Sequence, residues 1–95
     1  MLVVKAQFFS SFRELVGGKH SVELDIHHAV KLREVIQEVD RLFPGFAGAL
    51  LDQSGAIQAR VSVLVNGRNV VFLDGLDTLV PPDGVVSFIP PSAGG

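Results

Sequence analysis

One segment of this chain reads as a long helix, and the rest has to be arranged around it. Across residues 29–43, Leu32, Val35, Ile36, Val39, Leu42 and Phe43 recur at the i, i+3, i+4, i+7 spacing of a single buried stripe, with Lys31, Glu34, Glu38 and Arg41 on the remaining face. Pro44-Gly45 stops it. A lone amphipathic helix must lay its stripe on a sheet, and the flanking sequence supplies the strands. Residues 2–9, LVVKAQFF, put Leu2, Val4, Ala6 and Phe8 on one face and Val3, Lys5, Gln7 and Phe9 on the other. Residues 20–26 alternate, with Val22, Leu24 and Ile26 inward and Ser21, Glu23 and Asp25 outward. Residues 60–65 run into Asn66-Gly67, a strong hairpin signal, and 68–73 return. Residues 85–89 form a last strand with Val86 and Phe88 inward.

Between these lie shorter features. Ser11 and Glu14 fit a capping box opening a short helical turn, with Phe12, Leu15 and Val16 on one side and Gly17-Gly18 ending it. Residues 46–59 read as a longer connection with one helical turn around Ala49 to Leu51, and residues 74–79 as a turn-rich bridge. The order is ββαββ-turn-β. It predicts an α+β chain: a mixed five-stranded sheet covered by one main helix with short extra helical turns, the β-grasp or ubiquitin-like architecture. A ferredoxin-like fold needs a second full helix, and nothing after residue 60 supplies one. The expected organisation is one domain over residues 1–89 and a flexible tail over 90–95.

Several function classes are disfavoured at this stage. Eight Lys and Arg against ten Asp and Glu, with no basic run, are a poor footprint for nucleic acid or an anionic membrane. Without cysteine there is no disulfide, thiolate zinc site or thiol nucleophile, and an oxidising compartment is not required. MLVVKAQFF lacks a signal peptide's basic n-region, and no apolar stretch approaches the roughly 20 residues that span a bilayer, so the chain reads as cytoplasmic. His20 opens a strand and the adjacent His27 and His28 precede the helix, without a third ligand at metal spacing, which leaves exposed or capping roles. Asp74 and Asp77 read as turn residues, no serine has a G-x-S-x-G context, and Gly17-Gly18 follows a helix where a phosphate loop precedes one. No self-contained active site is legible, and a domain this small has little volume for a buried pocket.

The ending, FIPPSAGG, remains to be explained. A frayed terminus is the bland reading. Pro90 and Pro91 cannot continue a sheet ladder and should peel the chain off the last strand. The side chains then shrink through Ser92, Ala93, Gly94 and Gly95, and the last five residues reach about 17 Å if extended. A slim arm without charged side chains suits a narrow channel in another protein. Its one reactive group is the Gly95 carboxylate, inert until activated, for instance by adenylation.

The opening KAQFFSSFRELVGG, the hairpin VLVNGRNV, the segment LDTLVPPDGVVSFIPP and the closing AGG together resemble the ubiquitin-like sulfur carriers of the MoaD/ThiS family, most closely the molybdopterin synthase small subunit (MoaD type). The resemblance spans the whole chain. It implies that an adenylating activating enzyme (MoeB type) uses ATP and magnesium to adenylate Gly95, so that no cofactor is bound by the chain itself. The acyl-adenylate is then converted to a thiocarboxylate. In the molybdopterin branch the tail enters the synthase large subunit (MoaE type) and donates sulfur to a pterin precursor for the molybdenum or tungsten cofactor. Transferred here, Gly95 is the carrier residue and Gly94 its slim neighbour, in a donor subunit and not an enzyme alone. A ubiquitin-like protein modifier or a tRNA-thiolation carrier uses the same activation, whereas the long 46–59 connection disfavours the thiazole branch.

The residues agree with this at two points. A chain without cysteine can carry sulfur only on a group made for it. Phe9 and Ile89 fall on the face away from the helix and, with Pro90 and Pro91 at the tail root, can form a docking patch for a partner. Edge-covered core is the rival for Phe9. Arg13 is either a polar rim contact or a solvated neighbour of the capping box.

Overall fold

The computed structural model describes residues 3–91. The expected inward position of Leu2 and the tail residues Ser92, Ala93, Gly94 and Gly95 lie outside the described residues. The first strand, β1 (Val4–Phe8), alternates as the sequence demands: Val4, Ala6 and Phe8 are buried while Lys5 and Gln7 are half-exposed. It leads into α1 (Ser11–Leu15) and returns through β2 (Ser21–Leu24), with Val4 opposite Leu24 and Gln7 opposite Ser21. After β3 (Val30–Lys31) comes the main helix α2 (Leu32–Leu42), then α3 (Phe46–Leu50), β4 (Ser62–Val65), β5 (Arg68–Asn69), β6 (Leu79–Val80) and β7 (Val85–Ile89).

The sheet order is β2-β1-β7-β4-β5. β1 and β7 run parallel at its centre, and the other neighbours are antiparallel. This is the five-stranded β-grasp sheet expected from the sequence. α2 covers one face with Leu32, Val35, Ile36 and Val39 buried. That burial removes about 1.5–3 kcal/mol worth of apolar side chain from water at each position. Four phenylalanines fill the end of the core near α3. The Phe46 ring centre lies 5.5 Å from Phe8, 5.8 Å from Phe12 and 5.1 Å from Phe88, each edge-on, while Phe8 and Phe88 stack at 5.7 Å.

Four local expectations are corrected. Residues 68–73 do not return as a full strand. β5 ends at Asn69, whose side-chain oxygen accepts from the Val71 N–H at 3.1 Å and starts a 3-10 turn over Val70–Phe72. The competing side-chain bond wins over the ladder, and Val71 and Phe72 are left 71% and 85% exposed. The helix starts at Leu32 and not at residue 29, because Val30 and Lys31 pair with Val80 and Leu79 and the Leu32 N–H bonds the Thr78 carbonyl at 2.8 Å. Glu34 nevertheless closes this end, accepting from the Lys31 N–H at 3.0 Å.

The Ser11/Glu14 capping box does not form. Ser10 sits at the N-cap with φ 50° and makes no side-chain cap bond. Finally, the buried stripes are narrower than their spacing suggested. Leu15 and Leu42 face solvent, while Val16 and Phe43 take the inward positions one residue later.

The long connection is organised by Asp52. One of its carboxylate oxygens accepts from the Ser54 hydroxyl and from the N–H groups of Ser54 and Ala56. The Ser54 hydroxyl bond, followed by the Ala56 N–H, holds this carboxyl below the usual carboxylate range. The turn before β7 is tighter. A methyl group on Gly84 would meet the Pro81 carbonyl oxygen at 2.8 Å and Val80 Cγ1 at 3.1 Å, and the Gly84 carbonyl accepts from Lys5 N–H at 3.0 Å. Gly84→Ala must therefore displace backbone that anchors the parallel pair. It is expected to lower stability by about 1–3 kcal/mol, read as a lower urea midpoint with an unchanged slope.

Candidate functional site

The residues singled out at the tail root do come to one end of the sheet. β1 and β7 finish side by side with Phe8 opposite Phe88, so the next residues, Phe9 and Ile89, follow at the same edge. The Phe9 N–H donates to the Phe88 carbonyl at 3.2 Å. Phe9, Ile89 and Pro90 are half-buried and Pro91 is exposed. Neither Phe9 nor Ile89 belongs to the buried core. Ser62 of β4 faces Ile89 across the other side of β7.

Arg13 reaches this patch from α1. Its Nε–H donates to the Phe8 carbonyl at 2.9 Å, and its guanidinium carbon lies 5.8 Å from the centre of the Phe9 ring. The short helix can present it there because Phe12 and Val16 anchor one side in the core. Gly17 and Gly18, at φ 70° and 80°, then close the turn, with the Gly18 N–H on the Arg13 carbonyl at 2.7 Å.

Elsewhere the described residues offer little chemistry. An apolar pocket of about 370 Å³ opens beside β4, walled by Ile57, Val61, Val63, Val70 and Leu76. No titratable side chain lines it. A shallower hollow between the end of β2 and α2 gathers Asp25, His28, Glu34, Glu38 and Arg41. There Arg41 binds Glu38 through two bonds of 2.9 and 2.6 Å, and the first cause of the depressed Glu38 carboxyl is this hydrogen bond. Such a carboxylate is ionised near neutrality and poorly suited to general acid–base work.

Among the described residues no group of three acids or histidines could hold a metal, and every buried side-chain nitrogen or oxygen has a partner. Asp77, read as a turn residue, binds Arg33 at 3.0 Å across to the main helix. No described helix is long and apolar enough to cross a membrane.

A five-stranded β-grasp sheet covered by one main helix defines a ubiquitin-like fold. The profile of the ThiS family matches residues 6–95, and the chain belongs to that family. It is 37% identical over 92 residues to small archaeal modifier protein 3 of Haloferax volcanii, covering 97% of this chain and 98% of that one. Its fold superposes on a chain of the BexX/CysO complex of Amycolatopsis orientalis with a TM-score of 0.85 at 26% identity, covering 97% and 99%. On a putative molybdopterin converting factor subunit 1 from Pyrococcus furiosus the TM-score is 0.72 at 26% identity, covering 97% and 100%.

Proposed function

We propose that this chain is a ubiquitin-like modifier and sulfur carrier worked through the carboxylate of Gly95. An adenylating partner uses ATP and magnesium to form the Gly95 acyl-adenylate. Attack by a sulfur donor then gives the thiocarboxylate, and attack by a lysine amine gives an isopeptide; AMP leaves in either case. Gly94 keeps the approach to the carbonyl slim, and Phe9, Ile89, Pro90 and Pro91 seat the body on the partner.

The observation that carries this reading is the near full-length similarity to a small archaeal modifier protein, joined to a family match that runs through Gly95. It favours the modifier branch, with tRNA thiolation as a related outlet of the same activated tail. Sulfur donation to a pterin precursor, with a MoaE-type large subunit as partner, is the second reading. It is supported by the likeness to the putative molybdopterin converting factor subunit, which is less close in sequence.

The test is intact-mass spectrometry after incubation with an adenylating enzyme of the MoeB type, ATP, magnesium and a sulfur source. The expected product is heavier by one sulfur in place of one oxygen. In cell extract, conjugates of this chain with many proteins mark the modifier branch, and copurification with one large subunit marks the synthase. An unchanged mass together with no conjugate contradicts the reading.

A further inference from the structure

The end of the sheet from which the chain departs after Ile89 is charged unlike the rest of the molecule. β1 and β7 finish there, while β2 and β4 run the other way and begin there, with Gln7 opposite Ser21 and Ile89 opposite Ser62. The His20 carbonyl accepts from the Phe8 N–H at 2.9 Å, which brings Lys19 to the same end. Residues 8–21, 58–62 and 89–91 thus converge, and they carry Arg13, Lys19 and Arg60 against one carboxylate, Glu14. The remainder of the chain holds five cations against nine carboxylates.

Of the five cations elsewhere three are paired, and Lys5 and Arg68 have no ion pair among the described residues. Lys31 and Arg33 face Asp77, and Arg41 faces Glu38. Arg13, Lys19 and Arg60 form no ion pair among the described residues. Lys19 and Arg60 are exposed, and Arg13 is fixed in direction by its bond to the Phe8 carbonyl.

We propose that these three cations form a collar that docks the chain, tail first, on a protein partner presenting carboxylates around an apolar seat for Phe9 and Ile89. This rests on the function proposed above, since the partner in question is the activating enzyme. A molecule with an acidic body and a cationic collar carries a charge asymmetry that turns the collar toward an acidic mouth during approach. Rim charges of this kind act on the association rate and on register more than on the final complex. RNA fits the collar less well. Its cations sit on two separate segments around a rim and not along a stripe, and the Arg13 guanidinium already lies against the Phe9 ring that would have to stack a base.

The test is ATP–pyrophosphate exchange by the adenylating enzyme with this chain as substrate, at about 0.05 M and about 0.5 M NaCl, where screening differs strongly. The double variant Lys19→Glu/Arg60→Glu removes no side-chain bond within the described chain and should fold as wild type, checked by its thermal midpoint. It is expected to raise KM by roughly ten-fold or more at low salt with kcat unchanged, and the gap should narrow at high salt. Arg68→Glu, at the hairpin end of the sheet, is expected to leave KM unchanged. If the wild-type chain supports exchange and the double variant has the same KM, the collar is refuted while the proposed function stands. If the wild type supports no exchange, the proposed function fails and the collar with it. Retention of the wild-type chain on RNA, lost in the double variant, would overturn a protein partner.

Discussion

Deleting Gly95 is expected to abolish thiocarboxylate formation and conjugation while leaving the thermal midpoint unchanged. The ladder of β7 ends at Ile89, and the core that fixes the fold is drawn from residues 4–88, so a residue six positions beyond the last strand contributes little to stability. Activation, in contrast, needs a carboxylate at one distance from the docked body. Adding one alanine after Gly95 keeps a carboxylate but moves it by about 3.5 Å, and it is expected to be as damaging as the deletion. Gly94→Val tests the slimness of the arm separately, and should reduce the rate of activation without weakening docking. Pyrophosphate exchange and intact mass read all three variants, and circular dichroism verifies that they fold.

The largest effect on stability is expected from Phe46→Ala. Phe46 is fully buried and is the hub that touches Phe8, Phe12 and Phe88. Truncation removes three edge-on aromatic contacts and opens a cavity between α3 and the two central strands. Such changes cost about 3–5 kcal/mol out of a total of about 5–15 kcal/mol for a domain of this kind. At about 4–8 °C per kcal/mol for a chain of this size, the thermal midpoint should fall by roughly 15–30 °C. Phe72→Ala is the matched control. That ring is 85% exposed, and its loss should leave the midpoint nearly unchanged.

The contrast between these two phenylalanines shows what the sequence made legible. The alternation of β1 and β7 and the α2 stripe could be read because each repeats a period over several residues, and the Asn66-Gly67 hairpin because that dipeptide specifies its turn. Together they fixed the five-stranded sheet and its single main helix. Phe46 sits in a five-residue helix after a Pro-Gly stop, too short for a period, so its central place in the core could not be seen in advance. Phe72 follows two valines and mimics a strand, but a single side-chain bond from Asn69 diverts the chain before it.

Val30 and Lys31 joined the helix on paper because a two-residue strand leaves no pattern. Their partners Val80 and Leu79 lie 50 and 48 residues away. At the candidate site, Phe9 and Ile89 could be placed together because the first and last strands are neighbours in this fold, while the sequence left Arg13 open between a rim contact and a solvated position. Lys19 and Arg60 could not be placed, because their meeting there depends on the register of β2 and β4 against the two central strands.

The central claim is that the working group is the Gly95 carbonyl, carried by a body that takes no part in the chemistry. Tandem mass spectrometry of the chain isolated from its own cells, with lysine-directed and C-terminal peptides both mapped, tests it most directly. The account predicts Gly95 as a thiocarboxylate or joined through its carbonyl to lysine nitrogens of other proteins. Sulfur or a conjugated protein attached instead to a side chain within residues 3–91, with Gly95 always a free carboxylate, would contradict it.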